Sequence, residues 1–452
     1  MEEVAKHNHP KDMWMVINDK VYNLTAFRLT HPGGRLPLEN MAGKDATDPF
    51  VNYHPADVYP MLKRYIVGVL QDDGPPLEEA SPLMADFRAL RQRLLEEGYY
   101  RTHWSFYAYQ TVWLAYWFTM AIYLTVWGDE MWKRLAGSLC MGIFWQQLAF
   151  PGHDLGHNAV THIAWIDNLI GICCGNLLGG VSIGWWKWSH NVHHIVCNSV
   201  EHDPDIQHLP VFAVTNKIFK RFWSTFHGKW MEMDWAARTL VRWQHVLYYP
   251  IMMLARFNLY LQSFKLLLSD EVFPYKRLEV VGSLGFFVWL GYLMSTLPTW
   301  EEVAYWLLLS HAYTGLLHVQ ITLSHFSMET YHGHEGHTHN DDDDCWFRMQ
   351  LATSMDVKSN FFTEWLHGGL QYQVEHHLFP RLPRHNLKAI RPFIVELCEK
   401  HDVEFHLKSF WEANMHVLTQ LRRAANEAAH LKPGESLDGI PNMVWEGVNA
   451  RG

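Results

Sequence analysis

At 452 residues, 48% hydrophobic and with a mean hydropathy of −0.16, the chain is long enough for several domains and too polar to be membrane helix throughout. A net charge of −10 argues against a general nucleic-acid binder, because neutralising phosphates requires a basic face. The six Cys form no C-x-x-C pair, which argues against a zinc ribbon or a secreted disulfide framework, whereas 30 His point toward metal chemistry.

The N-terminus is polar and lacks the apolar core of a cleavable signal. Residues 1–71 read as a small α+β unit, with strand-like runs at 13–16 and 20–23 flanking an Asn18-Asp19 turn. An acidic, Pro-rich stretch at 72–82 reads as a linker, and 87–99 as a basic amphipathic helix suited to a membrane surface. The remainder, 83–452, is expected to be an all-α membrane domain. Uncharged stretches near 104–128, 135–152, 280–300 and 303–324 are its expected transmembrane helices. Weaker stretches at 163–184 and 246–264, each interrupted by one charge (Asp167, Arg256), read as interfacial or re-entrant. Basic residues are scarce in the two turns between spans. The positive-inside rule therefore puts the N-terminal unit, the long central segment and the C-terminus in the cytosol.

Within the first unit, His31-Pro32-Gly33-Gly34 is followed by Asp45-Ala46-Thr47-Asp48-Pro49-Phe50 and then Tyr53-His54-Pro55. Two neutral imidazoles on opposing loops can ligate a haem iron from both faces, which leaves no open position for oxygen and makes an electron-transfer centre. The bland alternative is a turn with a surface His at each end.

Three His-rich boxes follow. His153 and His157 are spaced i, i+4; His190, His193 and His194 are spaced i, i+3, i+4; and Gln373, His376 and His377 repeat that second spacing. Each set shares one face of a helix. With the expected topology all three lie on the cytosolic side, where His325 also emerges at the end of the last span. So many imidazoles exceed what a single zinc needs and suit more than one iron. His162, His208, His227, His245, His311 and His318 read as packing histidines, and His202 and His367 are left open as groups that orient ligands. The run from His332 to His339, followed by Asp341 to Asp344, reads as an exposed insertion.

Residues 1–71 resemble cytochrome b5, which implies haem b with His31 and His54 as its axial ligands. The whole chain resembles the front-end desaturases, in which such a domain is fused to a membrane desaturase of the H-x-x-x-H, H-x-x-H-H, Q-x-x-H-H type. The resemblance implies two iron ions held by His153, His157, His190, His193, His194, His376 and His377. Gln373 stands where related desaturases have His, and His325 matches an extra ligand. It further implies O2 as co-substrate, a membrane lipid as substrate, and an endoplasmic reticulum location. Electrons would come from NADH through NADH-cytochrome b5 reductase, since no G-x-G-x-x-G is present to bind a nicotinamide. The stretch 180–210 is most similar to delta-8 sphingolipid desaturases, with delta-6 fatty-acyl desaturases next; two His flanking D-P-D-I-Q favour the former. The alternatives are a hydroxylase on the same scaffold and, from another class, a non-catalytic membrane haem protein whose boxes hold zinc.

Overall fold

The computed structural model of the chain describes residues 1–70, 81–334 and 345–430. Nearly all of the expected 72–82 linker, and the insertion from 335 to 344, therefore lie outside the described residues.

The N-terminal unit is a four-stranded antiparallel sheet, β1 (Asn8–His9), β2 (Asp12–Ile17), β3 (Lys20–Asn23) and β4 (Ile66–Val69), in sequential order. Asn18 and Asp19 both have positive φ, as a two-residue hairpin of matching twist requires. One face of β2 and β3 packs Met13, Met15, Ile17 and Tyr22 into a core that continues through Leu36 and Phe50 of two short helices, α1 (Arg35–Asn40) and α2 (Thr47–Tyr53).

Beyond the linker every long element is helical. Ser81 caps α3 (Pro82–Glu96) by accepting from the Met84 N–H. Its apolar face is spent on protein rather than on a membrane surface, with Phe87 packed against Phe347 and Phe379. Next come α4 (Trp104–Trp127) and α5 (Met131–Gly156), which pair closely and put the first box at the end of α5. Ala164–Ile172 forms α6, runs on as a π-helical turn over Cys173–Leu178, and bends by 111° into α7 (Ile183–Ile195), which carries the second box. The 246–264 stretch lies inside a continuous helix, α8 (Gln244–Leu268). Helices α9 (Lys276–Ser295) and α10 (Trp300–Leu323) follow, and then α11 (Trp346–Thr353) and α12 (Gln373–Leu378), the third box.

Among the described residues, α9 alone is long and apolar enough by itself to cross a membrane, and the bent pair α6–α7 would pass only if counted as one span. Helices α4, α5 and α10 have the length. Their interspersed Trp, Tyr, Gln and His lower their mean hydropathy.

Candidate haem and metal centres

Two loops of the N-terminal unit face each other across a cavity of about 530 Å3. His31 and His54 stand on either side with ring centroids 6.0 Å apart. Two imidazoles bound to one iron at about 2 Å each would stand roughly that far apart. His31 Nδ1 is bonded to Gly34 O at 2.7 Å and His54 Nδ1 to Phe50 O at 3.0 Å, which turns each Nε2 toward the cavity and fixes the tautomer. Burial, then His31, depresses His54 to about 3, and burial also lowers His31. Both imidazoles are thus held neutral, as haem ligation requires, so the residues fit the group.

The cavity is roofed by the other half of the chain. Gly34 has φ +88°, and a Cβ there would come within 3.1 Å of the Trp188 ring. Asn191 donates to Gly33 O at 3.4 Å, and Arg88 pairs with Asp48 at 2.8 Å. The Tyr53 ring, one residue from His54, lies 6.4 Å from His157 and 5.9 Å from His194.

The three boxes converge. His153, His157, His190 and His376 form one group that could hold a metal ion, and His193, Cys197, His325 and His377 form another, their nitrogen and sulfur atoms within 4.8 Å of one another in each. His194 joins them: its Nε2 lies 3.0 Å from both His190 Nε2 and His376 Nε2, while its ring stacks on His377 at 4.1 Å. Gln373 reaches His325 Nε2 at 3.1 Å. All nine expected metal-site residues therefore meet in one cluster. A close approach makes this possible, since a Cβ on Gly156 would overlap the Trp186 ring at 2.0 Å.

The cluster's chemistry fits metal. His153 Nε2, His157 Nε2, His377 Nε2 and His194 Nδ1 are buried with no hydrogen-bond partner among the described residues, an arrangement that is costly unless a cation occupies the space. Burial, reinforced by neighbouring imidazoles, pushes His157, His190, His194, His376 and His377 well below their usual range. These five are therefore neutral donors. His193 differs. Burial opposes its charge, but the Asp203 carboxylate, 3.0 Å from Nδ1, overrides that and raises it well above the usual value. His377 Nδ1 meets Gln350 Oε1 at 2.8 Å, and His325 Nδ1 meets Thr353 O at 3.0 Å. Partners of this kind orient the ligating nitrogen. Asp356 accepts from Val374 N at 3.0 Å, and Arg391 ties it to Glu375, so the third box is anchored from behind.

An apolar cavity of about 550 Å3 runs from Trp145, Cys174 and Leu259 to His153, His190, His193, His325 and Gln373. That volume and lining suit an extended hydrocarbon chain. His208 and His318, expected only to pack, also line it, as does Asp205; His162 lines the haem cavity instead. His311 does pack, stacked on Phe257 at 4.3 Å. Of the two histidines left open, His202 bonds Thr225 Oγ1 and stacks on His334, and His367 bonds Thr363 O; neither bond involves a box imidazole. Sequence reasoning missed Cys197, Asp203, Gln350 and Thr353. For Cys197 a signal existed, because it continues the i+4 spacing from His193; the others are recognisable only once folded.

Two family models match the chain: "Cytochrome b5-like Heme/Steroid binding domain" over residues 1–71 and "Fatty acid desaturase" over 130–409. The chain belongs to the fatty acid desaturase family and carries a cytochrome b5-like domain at its N-terminus. It is an oxidoreductase, a desaturase of lipid metabolism with a haem-type electron-transfer domain. A "Delta(8)-fatty-acid desaturase" of Helianthus annuus is 38% identical over 452 residues, covering 100% of this chain and 95% of the relative. An "Acyl-lipid (9-3)-desaturase" of Borago officinalis is 36% identical, covering 100% and 98%. A "Delta 8-(E)-sphingolipid desaturase" of Lachancea kluyveri is 38% identical, covering 88% and 70%.

Proposed function

We propose that the chain introduces a front-end double bond at carbon 8 of a sphingolipid long-chain base, with both cofactor sites serving that reaction. The observation that carries this reading is the apolar cavity, which ends on the side chains of the metal cluster. The net reaction joins one saturated –CH2–CH2– unit, O2, two electrons and two protons to give –CH=CH– and two waters. When bound, haem b supplies one-electron transfer and two irons supply O2 activation. His31 and His54 would hold the haem; His153, His157, His190, His193, His194, His325, Gln373, His376 and His377 would hold the irons. The cavity walls exclude water and fix which methylene pair faces the cluster. Tyr53 bridges the two centres by contact, so electrons have a short path without release of the donor domain. They arrive from NADH through NADH-cytochrome b5 reductase.

Exposed apolar faces support a membrane setting. Tyr109, Val112, Tyr116 and Tyr123 face outward on α4, and Val281, Leu284, Val288 and Tyr292 do so on α9. Contiguous surfaces of this kind are rare on soluble proteins. We place spans along α4, α5, α9 and α10 in the endoplasmic reticulum, with the haem unit and the boxes in the cytosol.

The delta-8 relatives and the polar pair Asp205 and His208 on the cavity wall support the sphingolipid substrate. The second reading, a delta-6 type fatty-acyl substrate, is favoured by the acyl-lipid relative. Expression in a yeast lacking the activity, followed by mass spectrometry of long-chain bases and fatty acids, separates them. A new unsaturated long-chain base is expected. New polyunsaturated fatty acids with unchanged bases would overturn the sphingolipid reading, and a new alcohol would replace desaturation by hydroxylation.

A further inference from the structure

The haem cavity draws its wall from both halves of the chain, and its cations are unevenly distributed. From the N-terminal unit Arg64 alone, among the described residues, lines it with a fixed positive charge, and Arg64 lies over the Tyr65 ring at 4.9 Å. The desaturase half contributes Lys187, on α7, and Arg381, just beyond α12. Neither has a carboxylate partner at bonding distance among the described residues. Lys187 donates to the neutral Asn168 Oδ1 at 2.7 Å, and burial holds its ammonium down to about 8. Arg381 makes no hydrogen bond or ion pair with the described residues; burial lowers it, and Tyr100, Asp57 and Asp167 oppose that through space only. The other carboxylate on this wall, Glu279, is already saturated by Ser182, Asn176 and the Gly184 N–H. A half-buried cation with no carboxylate beside it is poorly compensated, and the space these two face belongs to the cavity between His31 and His54.

The group that fits this cavity brings the missing acceptors, since haem b carries two carboxylates on one edge. We propose that Lys187 and Arg381 bind the carboxylates of the haem held by His31 and His54, so that the desaturase half completes the haem site. This rests on the haem reading of the cradle. It makes the prosthetic group part of the contact between the two halves, alongside Asn191 to Gly33 and Arg88 to Asp48. It also sets the sign of an electrostatic effect: two nearby cations disfavour the more positive ferric state and raise the reduction potential.

The test uses the full-length chain in detergent, reconstituted either with haem b or with its dimethyl ester, in which both carboxylates are masked. Haem transfer to apomyoglobin and the midpoint potential are measured for wild type, Arg381→Gln, Lys187→Met and the charge-conserving Arg381→Lys. With haem b, each neutral variant is expected to lose haem at least about tenfold faster, the loss of one charge-assisted hydrogen bond, and to reduce at a lower potential. Arg381→Lys stays near wild type. With the dimethyl ester, the haem-release rates of wild type and variants converge. Wild-type rates and potentials with haem b in both neutral variants, or release-rate differences that persist with the ester, would overturn the proposal. Should a variant fail to fold, wild type alone decides: it must release the ester faster than haem b, and equal rates overturn the carboxylate contacts. Absence of a bis-imidazole spectrum in wild type would instead remove the haem reading itself.

Discussion

The haem cradle and the box cluster both present neutral imidazole nitrogens, yet they hold them differently. In the cradle each imidazole is fixed by a carbonyl of its own turn, His31 by Gly34 and His54 by Phe50. In the cluster the fixing groups come from elsewhere: Asp203 for His193, Gln350 for His377, Thr353 for His325. In the cradle the orientation of each imidazole depends on its own loop, even though the other half of the chain closes the cavity around it. A site assembled from α5, α7, α10, α11 and α12 depends on the whole helical packing, and damage at one element propagates to the rest.

The most severe test of that contrast is His194→Ala. Because His194 touches both metal groups, iron per chain and product should both fall to background while the haem bands persist; two retained irons would refute its bridging position. The mirror experiment is His54→Ala, expected to abolish haem binding and turnover while metal analysis still finds the full iron content. Iron loss here would mean that the cradle is no more local than the cluster. A smaller effect is expected when only an orienting group is changed. Asp203→Asn, with shape conserved, should reduce iron affinity or turnover by about 10- to 100-fold, and no local change in the cradle should affect iron.

The contrast also has a pH signature in metal-depleted protein. His157, His190, His194, His376 and His377 have folded-state values depressed below the unfolded value near 6.5. Their contribution is fully present above that pH and is lost as pH falls below it, by up to about 1.4 kcal/mol per pH unit for each group. His193, raised by Asp203, has the opposite sign: its contribution is present below about pH 6.5 and is lost as pH rises through its folded value. The expected outcome is a melting temperature that drops between pH 7 and 5 in chelated protein and far less in iron-loaded protein. The mildest change is Tyr53→Leu, which should slow reoxidation of reduced haem in stopped flow by a few-fold, with haem and iron contents unchanged.

Much of this was legible in the residues. The hairpin at Asn18 and Asp19, the placing of the two cradle histidines and the grouping of the eight box residues were readable because short-range spacing governs them: i, i+3 and i+4 on a helix, a two-residue turn, a tight H-P-G-G corner; His325 was suggested by its place at the end of the last span. The long helices were readable as uncharged runs, although their ends were misjudged where polar residues continue the helix, as α5 does through His153 to Gly156. The apolar face of 87–99 was read as a membrane surface because amphipathicity reports that a face is buried and not what covers it; here Phe347 and Phe379 do.

By itself, then, the sequence determined which histidines share a helix face or a tight turn, and which segments could be helices, since these follow from spacing and local charge. Tertiary structure alone decided that Gln350 and Thr353 orient His377 and His325 and that His208 and His318 line a substrate-sized cavity. It also decided that Lys187 and Arg381, from the other half of the chain, line the cavity between His31 and His54. Those pairings join residues far apart in sequence, and no local pattern encodes a contact that exists only when separate helices pack.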